Sequence, residues 1–164
     1  MKKYLLTAMF AITATSMYAQ QVSKMPSIAI KTLQGKTIST DSIYNDGKPI
    51  VISFWATWCK PCRNELNNIA EVYEKWQKET GVKIVAISID DARSVDKIPA
   101  VVKTAGWAYD IYVDSNSDLK RALGATVVPF TVVLNAKREI VYQHVGYNEG
   151  EEEKLFEFIK SMPK

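Results

Sequence analysis

"FWATWCKPC", Phe54 to Cys62, is the stretch on which the reading of this chain turns. It holds the only two cysteines, Cys59 and Cys62, with two residues between them. Upstream it shares its first residues with "IVISFWA", Ile50 to Ala56, an apolar run rich in β-branched residues that suits a central strand buried on both faces. Downstream it opens "PCRNELNNIAEVYEKWQKETG", where Leu66, Ile69, Tyr73 and Trp76 recur at helical spacing with Ala70 beside them. Gly81 is a natural helix stop, and Pro61 falls in the first turn, where its missing N–H leaves no gap in the ladder. The cysteines therefore stand at a strand-to-helix turn. Spacing alone leaves open a redox couple, half of a metal site or a staple. A bridge between such close cysteines closes almost no loop and removes little unfolded-state entropy, which argues against the staple.

Working outward, "SIAIKTLQGKTIST" alternates apolar and polar residues on both sides of Gly35 and predicts a β-hairpin. Residues 20–26 before it read as a flexible lead-in, and Asn45-Asp46-Gly47 as a turn. After the long helix, "VKIVAISID", Val82 to Asp90, is a second buried strand. "SVDKIPAVVKTAG" is a short helix shaped by Pro99, and "YDIYVD" a short strand. "SNSDLKRALG" reads as a helix opened by Ser115 or Asn116 and closed by Gly124. "VVPFTVVLN" and "EIVYQHVGY" are strands joined through "NAKR", too short a link for anything but an antiparallel pair. "GEEEKLFEFIKSM" is a terminal helix whose glutamates suit its positive end. Alternating strands and helices predict an α/β fold with a parallel core, helices on both faces and an antiparallel hairpin at one edge.

The chain has 164 residues, 47% hydrophobic and 24% charged, which are globular values. Its first residues differ from the rest. "MKKYLLTAMFAITATSMYAQ" has a basic start, an apolar centre too short to span a bilayer comfortably, and Ala19 before Gln20. This predicts a cleaved signal peptide at residues 1–19 and a mature domain at 20–164. Removing the leader's two lysines leaves 19 basic and 18 acidic side chains, formally +1. A domain this near neutrality gives no case for nucleic acid or an anionic membrane surface as partner. Export would bring the cysteines into oxidising surroundings, where a disulfide persists.

"FWATWCKPC", the "GKPIVISFWA" strand before it and "VVPFTVVLN" about seventy residues later together resemble the thioredoxin superfamily, and within it the exported TlpA- and ResA-like thiol–disulfide oxidoreductases of bacteria. The resemblance covers nearly all of the chain after the leader. It implies a thioredoxin-like fold: a central mixed sheet flanked by helices, an N-terminal β-hairpin and an extra strand–helix insertion. It also implies a Cys59–Cys62 dithiol/disulfide couple in a periplasmic or otherwise exported enzyme. Cys59, just ahead of the helix, would be the attacking thiolate, its pKa lowered by the helix end and by Lys60. Cys62, one turn on, would be the buried resolving thiol. Pro61 would restrict the loop, Trp58 would cover the sulfurs and Trp55 would pack beneath them. Pro129 would follow a cis bond and lie against the pair, with the backbone of Val128 open to an extended substrate.

Thioredoxins carry a buried aspartate six residues before the first cysteine. Here that position is Ser53, which cannot serve as a comparable base. In ResA-like members an acid at the end of the next strand approaches the site; Asp91 falls there, with Asp90 beside it, and is the expected proton carrier for Cys62. Arg63 and Glu65 read as solvent-facing first-turn residues, and the lone histidine, His144, as a strand-edge residue. The resemblance implies no organic cofactor and no metal, and a monomer. The expected partners are protein thiols and disulfides, and a membrane-bound thiol reductant such as a DsbD/CcdA-like protein. The direction of exchange stays open: reduction is favoured, with disulfide donation as the alternative. A copper-handling module would need a ligand as remote as His144, and a peroxidase would need its threonine three residues before the cysteine, where Thr57 is two.

Overall fold

The structure, a computed structural model, describes residues 23–163. The leader expected at residues 1–19 lies outside the described residues. Among the described residues seven strands form one sheet: β1 (Ala29–Thr32), β2 (Thr37–Ser39), β3 (Ile50–Trp55), β4 (Lys83–Ser88), β5 (Asp110–Val113), β6 (Phe130–Leu134) and β7 (Ile140–Val145). Their order across the sheet is β2-β1-β5-β4-β3-β6-β7. The pairs β3–β4 and β4–β5 are parallel, and every other pair is antiparallel. The expected insertion is thus β5, which extends the parallel core and joins it to the N-terminal hairpin. The fold is the mixed α/β sheet of thioredoxin-like proteins.

All six residues of β3 are buried. Successive side chains on a strand point to opposite faces. Val51 and Trp55 accordingly pack with α1 (Lys60–Thr80), Ile98 of α2 (Ile98–Ala105) and Leu155, Phe156 and Ile159 of α4 (Glu151–Ser161). Ile50, Ile52 and Phe54 pack on the opposite face with Leu119 of α3 (Asp118–Ala122), Met25 and Ile43. Trp76 of α1 stacks on Phe156 of α4 at 4.9 Å between ring centres, so the two helices share one apolar seam.

Three local expectations are corrected. The lead-in is packed where it is described: Met25 is buried and its N–H donates to the Arg138 carbonyl at 3.0 Å. The start of α3 is not capped by Ser115 or Asn116. Ser117 precedes the helix at φ 56°, and Asp114 reaches over it, accepting from the N–H groups of Asp118 (2.9 Å) and Lys120 (3.0 Å). Glu65 is not solvent-facing; it is 4% exposed.

Candidate active site

β3 ends at Trp55, and the chain turns through Ala56, Thr57 and Trp58 into α1. Cys59 is the residue before the helix, and Pro61 is in its first turn. A helix start leaves its first N–H groups unpaired and carries partial positive charge. Cys59 answers one of them, its Sγ accepting from the Cys62 N–H at 3.3 Å. The two cysteines are joined, with an S–S distance of 2.01 Å and Cα atoms 5.4 Å apart. Cys62 is fully buried, whereas Cys59 keeps 5% exposure.

The Val128–Pro129 peptide bond is cis, and the Val128 carbonyl oxygen lies 3.9 Å from Cys59 Sγ. A disulfide sulfur has no proton to donate, so this is a contact here; in the dithiol it faces a carbonyl that an S–H could use. Beside the pair, Trp58 is 65% exposed, and Lys60 and Pro61 are exposed too. Trp58 thus stands out in solvent. Trp55 is buried edge-on against Trp107 at 4.9 Å.

The turn is pinned by a buried acid. Asp90 accepts from the Thr57 N–H (2.8 Å), the Thr57 hydroxyl (2.6 Å) and the Ser88 hydroxyl (2.7 Å). Its neighbour Asp91 points the other way. Asp91 is bound by Arg93 through Nε (3.0 Å) and Nη2 (2.6 Å), and this guanidinium holds its carboxyl below the usual range. Asp91 lines a surface hollow with Ala92, Val95, Asp96 and Pro99 that neither cysteine lines, and its hydrogen-bond partner is Arg93.

The acid that sequence reasoning missed is Glu65. It sits one turn after Cys62 on the same buried stripe of α1. Its two oxygens accept from hydroxyls on neighbouring strands: Ser53 of β3 at 3.0 Å and Thr131 of β6 at 2.8 Å. Burial pushes its carboxyl up to about 7, against the pull of those two hydrogen bonds. Ser53 therefore supports an acid supplied by the helix. The signal was present in the spacing: Glu65 is three residues after Cys62 and four before Ile69, both on the inward stripe.

Residues 22–143 match the AhpC/TSA family. The chain belongs to that family. Among AhpC/TSA relatives, it is 28% identical to the thiol-disulfide oxidoreductase ResA of Bacillus thuringiensis subsp. konkukian, over 84% of this chain and 75% of that one. It is 32% identical to the thioredoxin-like protein YneN of Bacillus subtilis, over 77% and 72% of the two chains. Among solved structures, a thioredoxin-like protein from Porphyromonas gingivalis superposes with a TM-score of 0.74 at 42% identity, covering 83% of this chain and 89% of that one. A paired CxxC at the helix start, within this thioredoxin-like family, makes the chain a thiol–disulfide oxidoreductase. Among the described residues no helix is long and apolar enough to cross a membrane, and no cluster of three or more His, Cys, Asp or Glu could hold a metal.

Proposed function

We propose that the chain is an exported enzyme that reduces disulfides of protein partners through Cys59 and Cys62. The observation that carries this reading is the asymmetry of the pair. One sulfur sits at the surface end of α1, the other is sealed in the core, and a buried carboxyl lies one helical turn, roughly 5 Å of rise, beyond it.

In the dithiol form, the Cys59 thiolate attacks one sulfur of a partner's disulfide. The partner's S–S bond breaks, its leaving sulfur takes up a proton, and a mixed disulfide joins Cys59 to the partner. Cys62 gives its proton to Glu65 and attacks the Cys59 sulfur, which releases the partner's second thiolate. Two electrons have then passed from the enzyme's dithiol to the partner, and Cys59–Cys62 is the disulfide seen here. Glu65 suits the proton because a carboxyl poised near 7 can both accept and release it at neutral pH. Lys60 and Pro61 flank the attacking sulfur, Trp58 offers an exposed apolar surface to a partner, and Val128 and Pro129 line the approach. Resetting the couple needs two electrons from a dithiol donor. A membrane-bound DsbD/CcdA-like reductant fits an exported chain, and the basic and apolar character of residues 1–19 supports export of a domain spanning 20–164.

The test is the reduction potential of the pair, read by tryptophan fluorescence in a defined thiol buffer. A value near that of thioredoxin, about −270 mV, is expected of a reductant. A value near that of DsbA, about −120 mV, would make the protein a disulfide donor and reverse the proposed direction. Replacing Cys62 with Ser should trap partners as mixed disulfides on Cys59; recovery of none would remove the mechanism.

A further inference from the structure

Glu65 does not end the polar chemistry on its side of the sheet. Ser53, Thr131 and His144 stand directly opposite one another on β3, β6 and β7. Directly paired residues present their side chains on the same face, here the face covered by α1 and α4. The row runs from the centre of the sheet to its edge. Between Glu65 and His144 lies a cavity of about 10 Å³, roughly the least that holds one water, lined by Glu65, Thr131, His144, Tyr147 and Glu151 among others. His144 Nε2 is 3.2 Å from Glu151 Oε2.

The titratable groups facing Glu65 come from four places. Tyr142 and His144 come from β7, Tyr147 from the loop after it, Glu151 and Glu152 from α4, and Tyr109 from the stretch before β5. Burial holds all three tyrosines above their ordinary phenol range, so they stay neutral. The Asn148 N–H, 2.7 Å from Glu151, holds that carboxyl below its usual range, so Glu151 is an anion at neutral pH. A buried acid facing an anion across a water-sized cavity is hindered from ionising. His144 is the one basic side chain among the groups lining that cavity, and it stands against Glu151.

We propose that His144 is a positioning residue for the redox centre, cancelling the charge of Glu151 across this cavity and so keeping Glu65 able to take its ionised form. The inference rests on the reading of Glu65 as the proton acceptor for Cys62, but it can fail separately from it. The experiment is a pH titration of the Glu65 carboxyl by carbon NMR in the full chain, with Glu65→Gln assigning the signal, run beside the pH profile of disulfide reduction. His144→Gln should raise the Glu65 midpoint by about half a unit to one unit, as expected for a like charge left unopposed, and move the pH profile the same way. The double variant His144→Gln/Glu151→Gln should bring the midpoint back toward that of the parent, and His144→Lys should hold it there. A purely structural role for His144 would not be rescued by removing a second side chain. An unmoved midpoint in His144→Gln, or no return in the double variant, overturns the proposal. If His144→Gln does not fold, Glu151→Gln alone decides: removing the anion should lower the Glu65 midpoint, and an unmoved midpoint overturns the proposal. If the midpoint moves while Glu65→Gln leaves the reduction profile unchanged, the charge coupling stands and the acceptor role of Glu65 falls.

Discussion

Asp90 and Glu65 are both buried acids beside the redox turn, and they are held in opposite ways. Asp90 receives one backbone N–H and two hydroxyls from the turn itself and from the end of β4. Its oxygens are answered locally, by residues that must stay where they are for the turn to keep its shape. Glu65 receives two hydroxyls from the middle of the sheet, has no backbone donor among its partners, and opens on a small cavity. A buried acid that ties a turn together through three donors is a clamp; Glu65, which burial penalises when charged and only hydroxyls support, can change its protonation.

Removing the clamp should have the largest effect. Asp90→Ala leaves the Thr57 N–H, the Thr57 hydroxyl and the Ser88 hydroxyl without their acceptor, at a cost of about 4 kcal/mol for a buried donor set of this kind. Chemical denaturation at neutral pH measures it. Asp90→Asn keeps one acceptor oxygen and should lose roughly half as much. Equal stability in all three chains would mean that the turn is held by its backbone alone.

Glu65→Gln sharpens the contrast through pH. In the folded chain the Glu65 proton is held up to about 7, while an unfolded glutamate releases it near 4.5. The folded state binds the extra proton between those values, so stability falls as pH rises through that window and levels off above it. The span corresponds to about 3 kcal/mol. Glu65→Gln has no proton to lose, so its stability relative to the parent should grow by that amount from pH 4 to pH 8. Parallel curves would mean that Glu65 ionises in the fold as easily as in the unfolded chain. On the functional side, loss of the acceptor should flatten the dependence of Cys62 attack on pH near neutrality, read as the rate of mixed-disulfide resolution.

What the sequence disclosed and what it concealed divides along sequence separation. The β3 run, the α1 stripe and the cysteine spacing are patterns within a few residues, and each is where pattern reading placed it. Glu65 is concealed because its partners are 12 and 66 residues away, and a charged residue in a first helical turn reads as solvated by default. The α3 cap is concealed by a positive φ at Ser117, which lets Asp114 reach two N–H groups that a serine one residue later was expected to serve. Asp90 and Asp91 are concealed by alternation. Adjacent residues leaving a strand face opposite ways, and which of the two turns inward depends on where the strand stops. β4 stops at Ser88, and the inward acid is Asp90.

The smallest effect belongs to Asp91→Asn. The side chain is exposed and its charge is spent on Arg93, whose own side chain is largely in solvent. Exposed pairs of this kind contribute little to stability and less in salt. The Arg93 guanidinium holds the Asp91 carboxyl below its ordinary range, which makes it a weaker base for a thiol proton than an unpaired carboxylate would be. The expected outcome is an unfolding midpoint and a pH profile of disulfide reduction indistinguishable from the parent's. A profile displaced by Asp91→Asn and not by Glu65→Gln would hand the proton of Cys62 back to the end of β4, and would require the segment carrying Asp91 and Arg93 to rearrange when the disulfide opens.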